Sequence, residues 1–394
     1  MGWTAPLRAL LLTGCATLLL LHYAGPPTHT FRRTEGAHRT DRSGRRAPPP
    51  DAVPVGDRRL PTVADIFNPE CGRFNGSVQA PYFLDYTASV RTFPTWTPRQ
   101  PLPPGRYHFA IMTSPKHYFY RRAIRDTWMK TLQLEAEWHL NAGCADAHAR
   151  TGSARFYVGQ TAELRVAQRL AEEFRQFPDD MVFIQFCDVY ESLPLKTYNV
   201  FHTLHATLPA SVEWVVKIDD DVLPNLFLLM DCFPPLTQLV AAAPGGELVQ
   251  ILGSVGVNKS TEERYDPRYI IPRQRYNASL YPPFAHGPAY LVGRPAVGAL
   301  LAAGRRTPLI NLEDVWWTGL VASRAGLQLR NIHRFVLGGI NVWKQLAGGH
   351  HRTDKAVWFY HDIGPKLLVK YWPNITQCCG CFSQHCWIYQ AVRI

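Results

Sequence analysis

The chain lacks the glycine-rich loops that cradle phosphates in many nucleotide-binding proteins. Neither G-x-x-x-x-G-K-S/T nor G-x-G-x-x-G follows the first predicted strand, residues 107–113, which argues against simple NTPases and dehydrogenases. No internal repeat occurs, so a solenoid or propeller is not indicated. Charged residues make up only 19% of the 394 residues and aromatic residues 12%, a balance that disfavours wholesale disorder. The length suits one large or two moderate domains.

Positive charge is concentrated near the N-terminus, within an overall net charge of +11. Residues 31–59 carry eight arginines against four acids, a run that raises the possibility of nucleic-acid binding. Interleaved aromatic residues are lacking, and proline, glycine, serine and threonine are frequent. We therefore predict a flexible stem over residues 25–62 and no nucleic-acid partner.

The first 24 residues contain an apolar segment. Its core, residues 9–21, has the length of a cleavable signal peptide, whereas residues 5–24 suffice to cross a thin membrane. No clean small-x-small cleavage site is present. We predict a cytoplasmic tip and an uncleaved signal-anchor over residues 1–24, with a lumenal body, and keep soluble secretion as the alternative.

The cysteines and the glycosylation sequons agree with that compartment. Eight cysteines remain besides Cys15, an even number that suits disulfides in an oxidising lumen. The tail, residues 373–394, contains C-C-G-C and H-C; zinc is the alternative there, but paired C-x-x-C knuckles are missing. Asn-x-Ser/Thr sequons stand at Asn75, Asn258, Asn277 and Asn374.

Predicted strands and helices alternate after an irregular lead-in at residues 63–105. Buried-type strands are predicted at 107–113, 154–158, 181–186 and from 214, and helices at 118–129, 162–174 and 195–208. This order predicts an α/β fold with a mostly parallel central sheet that binds its ligand at the carboxyl ends of the strands. Further elements are predicted at 248–257 (strand), 295–303 (helix) and from 314 to about 325 (helix).

Three consecutive carboxylates, Asp219, Asp220 and Asp221, follow the fourth strand. Side chains alternate along a strand, so Asp219 and Asp221 share one face and Asp220 points to the other. Neighbouring carboxylates repel each other unless a cation lies between them, and Mg²⁺ or Mn²⁺ suits this arrangement. The alternative is an acidic turn that caps the next helix.

Four short blocks in order resemble a known family. They are R-R-A-I-R-D-T-W at 121–128, F-C-D-V-Y-E-S-L-P-L-K-T at 186–197, K-I-D-D-D at 217–221 and E-D-V-W-W-T-G at 313–319. Together they are similar to motifs of the β-1,3-galactosyltransferase and β-1,3-N-acetylglucosaminyltransferase family of Golgi type II membrane enzymes. A fifth block, H-D-I-G-P…L…W at 361–372, resembles the family's C-terminal motif. The resemblance covers residues 105–372 and implies a nucleotide-sugar-binding, Rossmann-like domain of the GT-A type, which we place at residues 106–372.

The resemblance also implies roles for individual residues. Asp314 is expected to be the general base, supported by Glu313; the alternative for both is an acidic helix N-terminus. Mn²⁺ is expected at Asp219, Asp221 and His361, and a structural histidine is the alternative for His361. His350 and His351 compete with His361 as ligands. The nucleotide is expected at Arg121, Arg125, Lys196, Asp219 and Asp220, although Lys196 and Lys217 also suit structural ion pairs.

Aromatic residues complete the predicted site. We assign Trp128 to the core, and Trp316 and Trp317, beside the expected base, to stacking on a sugar. Residues 285–293 correspond to a glycine-rich acceptor-side segment of the family but keep fewer glycines, which leaves the acceptor open.

The implied function is inverting, metal-dependent transfer of a hexose from a UDP-sugar to a glycan on a glycoprotein or glycolipid, in a β-1,3 linkage. UDP-galactose is the favoured donor and UDP-N-acetylglucosamine the second. A catalytically silent lumenal lectin of the same fold, and a metal-dependent phosphodiester or pyrophosphate hydrolase, are the alternatives.

Overall fold

A computed structural model describes residues 59–74, 90–133, 152–226, 249–261, 275–332, 335–338 and 357–378, with the single positions 229, 269, 271 and 273. The side chains of 73, 74, 249 and 374–378 are not described. All of the described residues belong to one compact unit, Gly56–Ile394. The predicted signal-anchor, most of the predicted stem, nearly all of the cysteine-rich tail, and His350 and His351 lie outside the described residues. Within the described ranges, every helix is too short or too polar to cross a membrane.

Eleven strands can be assigned in the described part of the chain. Eight of them form one sheet in the order β1-β4-β3-β2-β5-β8-β7-β9, and three form a small sheet in the order β10-β11-β6. In chain order they are β1 Thr95–Trp96, β2 Tyr107–Met112, β3 Gly152–Gln160, β4 Met181–Cys187, β5 Trp214–Asp219, β6 Leu223–Pro224, β7 Val249–Gly256, β8 Phe284–Gly293, β9 Gln328–Asn331, β10 Val336–Leu337 and β11 Phe359–Tyr360.

Helices cover both faces of the large sheet. They are α1 Val63–Ile66, α2 Tyr118–Ile124, α3 Leu164–Gln176, α4 Leu193–Thr207, α5 Arg294–Gly304, α6 Ala322–Arg324 and α7 Pro365–Cys378. A π-helical segment, Arg125–Met129, continues α2, and another, Val315–Val321, precedes α6. A 3₁₀ helix spans Pro69–Phe74.

Strand β2 illustrates why this part of the chain forms a parallel sheet. All six of its residues are buried, as expected for a strand covered on both faces. Tyr107, Phe109 and Ile111 contribute to the core cluster on one face, and Ala110 and Met112 to the cluster on the other. Since β2 pairs in parallel with both β3 and β5, the predicted α/β class with a mostly parallel sheet is confirmed.

Two features of the sheet were not predicted. Strand β8 runs antiparallel to β5 and β7, so the glycine-poor acceptor-side segment is a central strand. In the predicted lead-in, β1 pairs antiparallel with β4 at the edge of the sheet. A disulfide between Cys71 and Cys187 attaches the lead-in to the end of β4.

Candidate active site

The aspartate triplet lies at the carboxyl edge of the sheet, where β5 ends. Met112 of β2 is the register partner of Asp219, so Thr113 lies next to the triplet. Asp220 is buried and accepts a hydrogen bond from the Thr113 hydroxyl at 2.6 Å. It also lies 2.9 Å from Nδ1 of His117. Asp220 therefore has its own partners within the protein, and its contact with a nucleotide stays a prediction.

Asp221 is brought next to His361 by the small sheet. Strand β6 begins one residue after the triplet and pairs with β11, Leu223 opposite Tyr360. His361 follows β11, and its Nε2 lies 3.5 Å from Oδ2 of Asp221. Burial works against protonation of His361, but the adjacent Asp221 carboxylate raises its pKa. The two residues predicted to share a metal are thus neighbours.

A third carboxylate, Asp362, completes this cluster. Its Oδ1 lies 3.7 Å from Nε2 of His361, and its backbone adopts a left-handed conformation with φ of 65°. Asp221, His361 and Asp362 each offer one ligand atom, and these atoms lie within 4.8 Å of one another. Two carboxylate oxygens and an imidazole nitrogen form a donor set that suits Mn²⁺. Sequence reasoning missed Asp362, whose signal was its position directly after His361.

Asp219, the third predicted ligand, lies outside this convergent trio. Its Oδ1 accepts a hydrogen bond from Nζ of Lys217 at 2.7 Å. Lys217 is buried, donates also to the carbonyl oxygen of Gly287, and lies 3.7 Å from Oε2 of Glu313. Burial opposes the charge of the ammonium group, but Asp219 and Glu313 raise the pKa of Lys217 above its usual range. Lys217 therefore remains a cation between the aspartate triplet and the second acidic motif, Glu313 and Asp314.

The two carboxylates of the second acidic motif lie in different environments. Glu313 is only 8% exposed and accepts hydrogen bonds from Thr197 at 2.8 Å and from the Tyr290 hydroxyl at 2.6 Å; burial raises its pKa. Asp314 is partly exposed, and its carboxylate accepts from the backbone N–H groups of Gly287 at 3.1 Å and Val315 at 2.8 Å. Glu313 is enclosed by these partners, so Asp314 is the more exposed carboxylate of this pair.

The predicted nucleotide-binding arginines have other partners. Arg121 is completely buried, and its guanidinium group donates to Glu173 at 2.7 Å, to Thr113 at 3.1 Å and to nearby carbonyl oxygens. Arg125 donates to Glu173 at 2.6 Å and to Asp180 at 2.7 Å. These pairs join α2 and the π-helical segment after it to α3 and to the start of β4. Both arginines thus have structural partners, and their nucleotide contacts stay a prediction.

Lys196 is likewise a buried structural cation. It is 1% exposed and donates to Asp188 and to the carbonyl oxygen of Thr113, both at 2.7 Å. This arrangement holds α4 against the ends of β2 and β4. The structural ion pair that the sequence offered as an alternative for Lys196 is therefore what the structure contains.

The three tryptophans singled out from the sequence belong to the core. Trp128 is completely buried, as predicted. Trp316 and Trp317 are completely buried too, and Trp316 donates its indole N–H to the carbonyl oxygen of Pro308. The prediction that Trp316 and Trp317 stack on a sugar is wrong, because the π-helical segment turns both side chains into the sheet-facing core.

Comparison with known proteins identifies the family. The galactosyltransferase family model matches residues 120–333. The chain is 30% identical over 270 residues to human N-acetyllactosaminide beta-1,3-N-acetylglucosaminyltransferase 4, a match that covers 68% of this chain and 64% of that protein, just under two thirds of its length. It is 26% identical over 269 residues to mouse beta-1,3-galactosyltransferase 1, covering 68% and 72% of the two chains.

A search of solved structures finds the apo form of mouse xyloside xylosyltransferase 1, at 13% identity and a TM-score of 0.30, covering 66% of this chain and 98% of that one. The assignment rests on the family match, which spans more than half of the chain, and on the sheet described above. The chain belongs to the β-1,3-galactosyltransferase and β-1,3-N-acetylglucosaminyltransferase family of glycosyltransferases.

Proposed function

We propose that this protein is an inverting, metal-dependent β-1,3-glycosyltransferase that moves a hexose from a UDP-sugar to a glycan hydroxyl. The observation that carries the proposal is the connection between its two acidic motifs. The convergent trio Asp221, His361 and Asp362 offers ligands for a cation. Lys217 links the neighbouring Asp219 to the Gly287 peptide, which holds the partly exposed carboxylate of Asp314.

Asp221, His361 and Asp362 would hold the cation, which we propose is Mn²⁺. When bound, a divalent cation supplies positive charge that stabilises the diphosphate leaving group. Because Asp221 immediately follows Asp219 and Asp220, the trio lies at the carboxyl edge of the sheet, where open α/β sheets bind nucleotides. This placement supports a nucleotide-diphosphate sugar as the donor.

Asp314 would act as the general base. Its carboxylate takes the proton from the acceptor hydroxyl while the acceptor oxygen forms a bond to the anomeric carbon of the sugar. The bond between that carbon and the diphosphate oxygen breaks, and UDP leaves with the electron pair. Attack opposite the leaving group inverts the configuration at the anomeric carbon. The backbone N–H groups of Gly287 and Val315 fix the carboxylate for this step.

UDP-galactose is the favoured donor and UDP-N-acetylglucosamine the second. The two relatives reported above are named for transfer of one or the other sugar, and donor choice depends on a few contacts in the sugar pocket. The acceptor is a glycan on a glycoprotein or glycolipid.

We place the enzyme in the Golgi membrane as a single-pass type II protein, anchored by residues 1–24 with its catalytic domain in the lumen. The apolar N-terminal segment and the four sequons support this placement. So does the Cys71–Cys187 disulfide, because such bonds persist mainly in oxidising compartments.

The test is a donor screen with the purified full chain. UDP-galactose, UDP-N-acetylglucosamine and UDP-N-acetylgalactosamine are each offered with Mn²⁺ and a panel of glycan acceptors, and the linkage of the product is determined by NMR. We expect one donor to give a β-1,3-linked product. Donor cleavage that is independent of any acceptor would instead favour a hydrolase, and UDP binding without turnover on the whole panel would favour a silent lectin.

A further inference from the structure

Lys217 is a buried cation whose contacts reach both acidic motifs. It lies on β5 opposite Tyr290 of β8 and is 4% exposed. Its Nζ donates to Oδ1 of Asp219 at 2.7 Å and to the carbonyl oxygen of Gly287. The same ammonium group lies 3.7 Å from Oε2 of Glu313. One side chain thus contacts the triplet, strand β8 and the second acidic motif.

Both backbone polar groups of Gly287 make hydrogen bonds to side chains. Its carbonyl oxygen accepts from Lys217, and its N–H donates to Oδ2 of Asp314 at 3.1 Å. A β-carbon at Gly287 would lie 3.5 to 3.7 Å from atoms of Asp314, so the backbone packs closely against the carboxylate. Any displacement of Gly287 would therefore be passed on to Asp314.

The regular sheet does not fix Gly287. Pairing of β8 with β5 extends only as far as Ala289. Pairing of β8 with β7 jumps from Tyr290 to Ala285 through an irregularity. Pro288, the next residue, has no N–H to contribute to a ladder. The Lys217 ammonium group ties Gly287, within this irregular stretch, to β5.

We propose that Lys217 is a positioning residue that places Asp314 for catalysis by holding the Gly287 peptide, and so connects Asp219 to the base. This inference rests on the proposed function for its consequence in turnover. Its structural part, restraint of residues 284–293, holds in the protein without substrate. The two parts therefore have separate readouts.

The first readout is hydrogen exchange of the full chain without substrates, comparing wild type with Lys217→Met. Loss of a buried hydrogen bond to a charged group changes the equilibrium constant for opening of the structure around it by roughly a factor of 10 to 100. We expect amides in peptides covering residues 284–293 to exchange at least about tenfold faster in the variant. Unchanged exchange in this segment would overturn the inference, whatever the activity of the protein.

Arg106→Met is the matched control. Arg106 is a buried cation paired with Glu213 at 3.0 Å, beside the opposite end of β5. Its loss is expected to lower the melting temperature but to leave exchange in residues 284–293 unchanged. If Lys217→Met does not fold, Lys217→Gln, which retains an N–H donor, replaces it, with a smaller acceleration expected.

The second readout is a double-mutant cycle in turnover. Lys217→Met should lower kcat about 10- to 100-fold with little change in the KM for the acceptor. In an Asp314→Asn background, Lys217→Met should lower kcat by less than about threefold, because the carboxylate that Lys217 positions is already lost. Multiplicative losses would overturn the inference. An inactive wild type with faster exchange in Lys217→Met would instead count against the proposed function alone.

Discussion

His361 and Asp221 lie 3.5 Å apart between Nε2 and Oδ2, although they come from distant parts of the chain. The pairing of β11 with β6 is responsible, because each residue lies next to one of these strands. The backbone strengthens the connection, since the N–H of Ile363 donates to the carbonyl oxygen of Asp221 at 2.9 Å. The candidate metal site is therefore held together by the pairing of two strands.

Removing either neighbour should weaken metal binding. We expect Asp221→Asn and His361→Gln each to reduce the affinity for Mn²⁺ at least about tenfold, since each removes a ligand from a site of few donors. Isothermal titration of the full chain with Mn²⁺ measures this without any turnover. Asp126→Asn, which changes an exposed carboxylate in the π-helical segment after α2, is the control. Wild-type affinity in His361→Gln would exclude His361 as a ligand.

Asp314→Asn should separate chemistry from binding. The amide keeps the size of the side chain but cannot accept the acceptor's proton, so we expect kcat to fall by roughly a factor of 10² to 10⁴. UDP affinity in the presence of Mn²⁺ should stay near that of wild type, because Asp314 is not a member of the metal-binding trio. Initial rates and UDP titration give the two quantities. Retained kcat in this variant would mean that another group is the base.

Arg121 should prove to be a stability residue. Arg121→Met removes a buried partner of Glu173, and we expect the free energy of unfolding to fall by about 3 kcal/mol, the usual size for breaking a buried ion pair. Arg122→Met, which removes an exposed arginine paired with Asp126, should cost less than about 0.5 kcal/mol. Urea denaturation measures both. An Arg121→Met variant with the stability of wild type but a lower affinity for UDP would instead support the nucleotide contact predicted from the sequence.

His108 should make the fold sensitive to acid. It is completely buried between Ser153 at 2.8 Å and the Tyr157 hydroxyl at 3.0 Å, and burial lowers its pKa to about 3. The unfolded chain binds a proton at this histidine below about pH 6.5, whereas the folded protein does not. The stabilising contribution is therefore present above about pH 6.5 and is lost as the pH falls toward 3.

The measurement compares wild type with His108→Gln. The variant should be less stable near neutral pH, since it loses the buried hydrogen bonds. Between about pH 6 and pH 4, however, wild type should lose up to about 1.4 kcal/mol per pH unit more than the variant. Parallel pH profiles for the two proteins would contradict the buried, neutral state of His108.

The parallel part of the fold was predictable because its residues carry the signal locally. Strands β2 to β5 are short apolar runs separated by amphipathic helices, and each appears close to its predicted position. The antiparallel strand β8 was not predicted. The residues of a buried strand do not by themselves show whether it runs parallel or antiparallel to its neighbours. The same holds for β1, whose two residues become a strand only through their pairing with β4.

The predicted site residues divide by what surrounds them. The structure brings Asp221 next to His361 and leaves Asp314 partly exposed, while their roles as metal ligands and general base stay predictions. The family motifs also contain Arg121, Arg125 and Lys196, yet these charges are paired with carboxylates: Glu173, Asp180 and Asp188, respectively. Glu173 and Asp180 lie far along the sequence from the arginines that they pair with. Motif membership alone does not distinguish a ligand-binding cation from one that holds helices together.

The most direct test of the account is acceptor-dependent UDP release by the purified full chain. UDP-galactose and Mn²⁺ are supplied with and without the acceptor panel, and the reaction is repeated with a chelator and with Asp221→Asn. The account predicts UDP release that requires an acceptor and that is abolished by chelation and by the substitution. UDP release that continues with the metal removed, or that is indifferent to the acceptor, would contradict it.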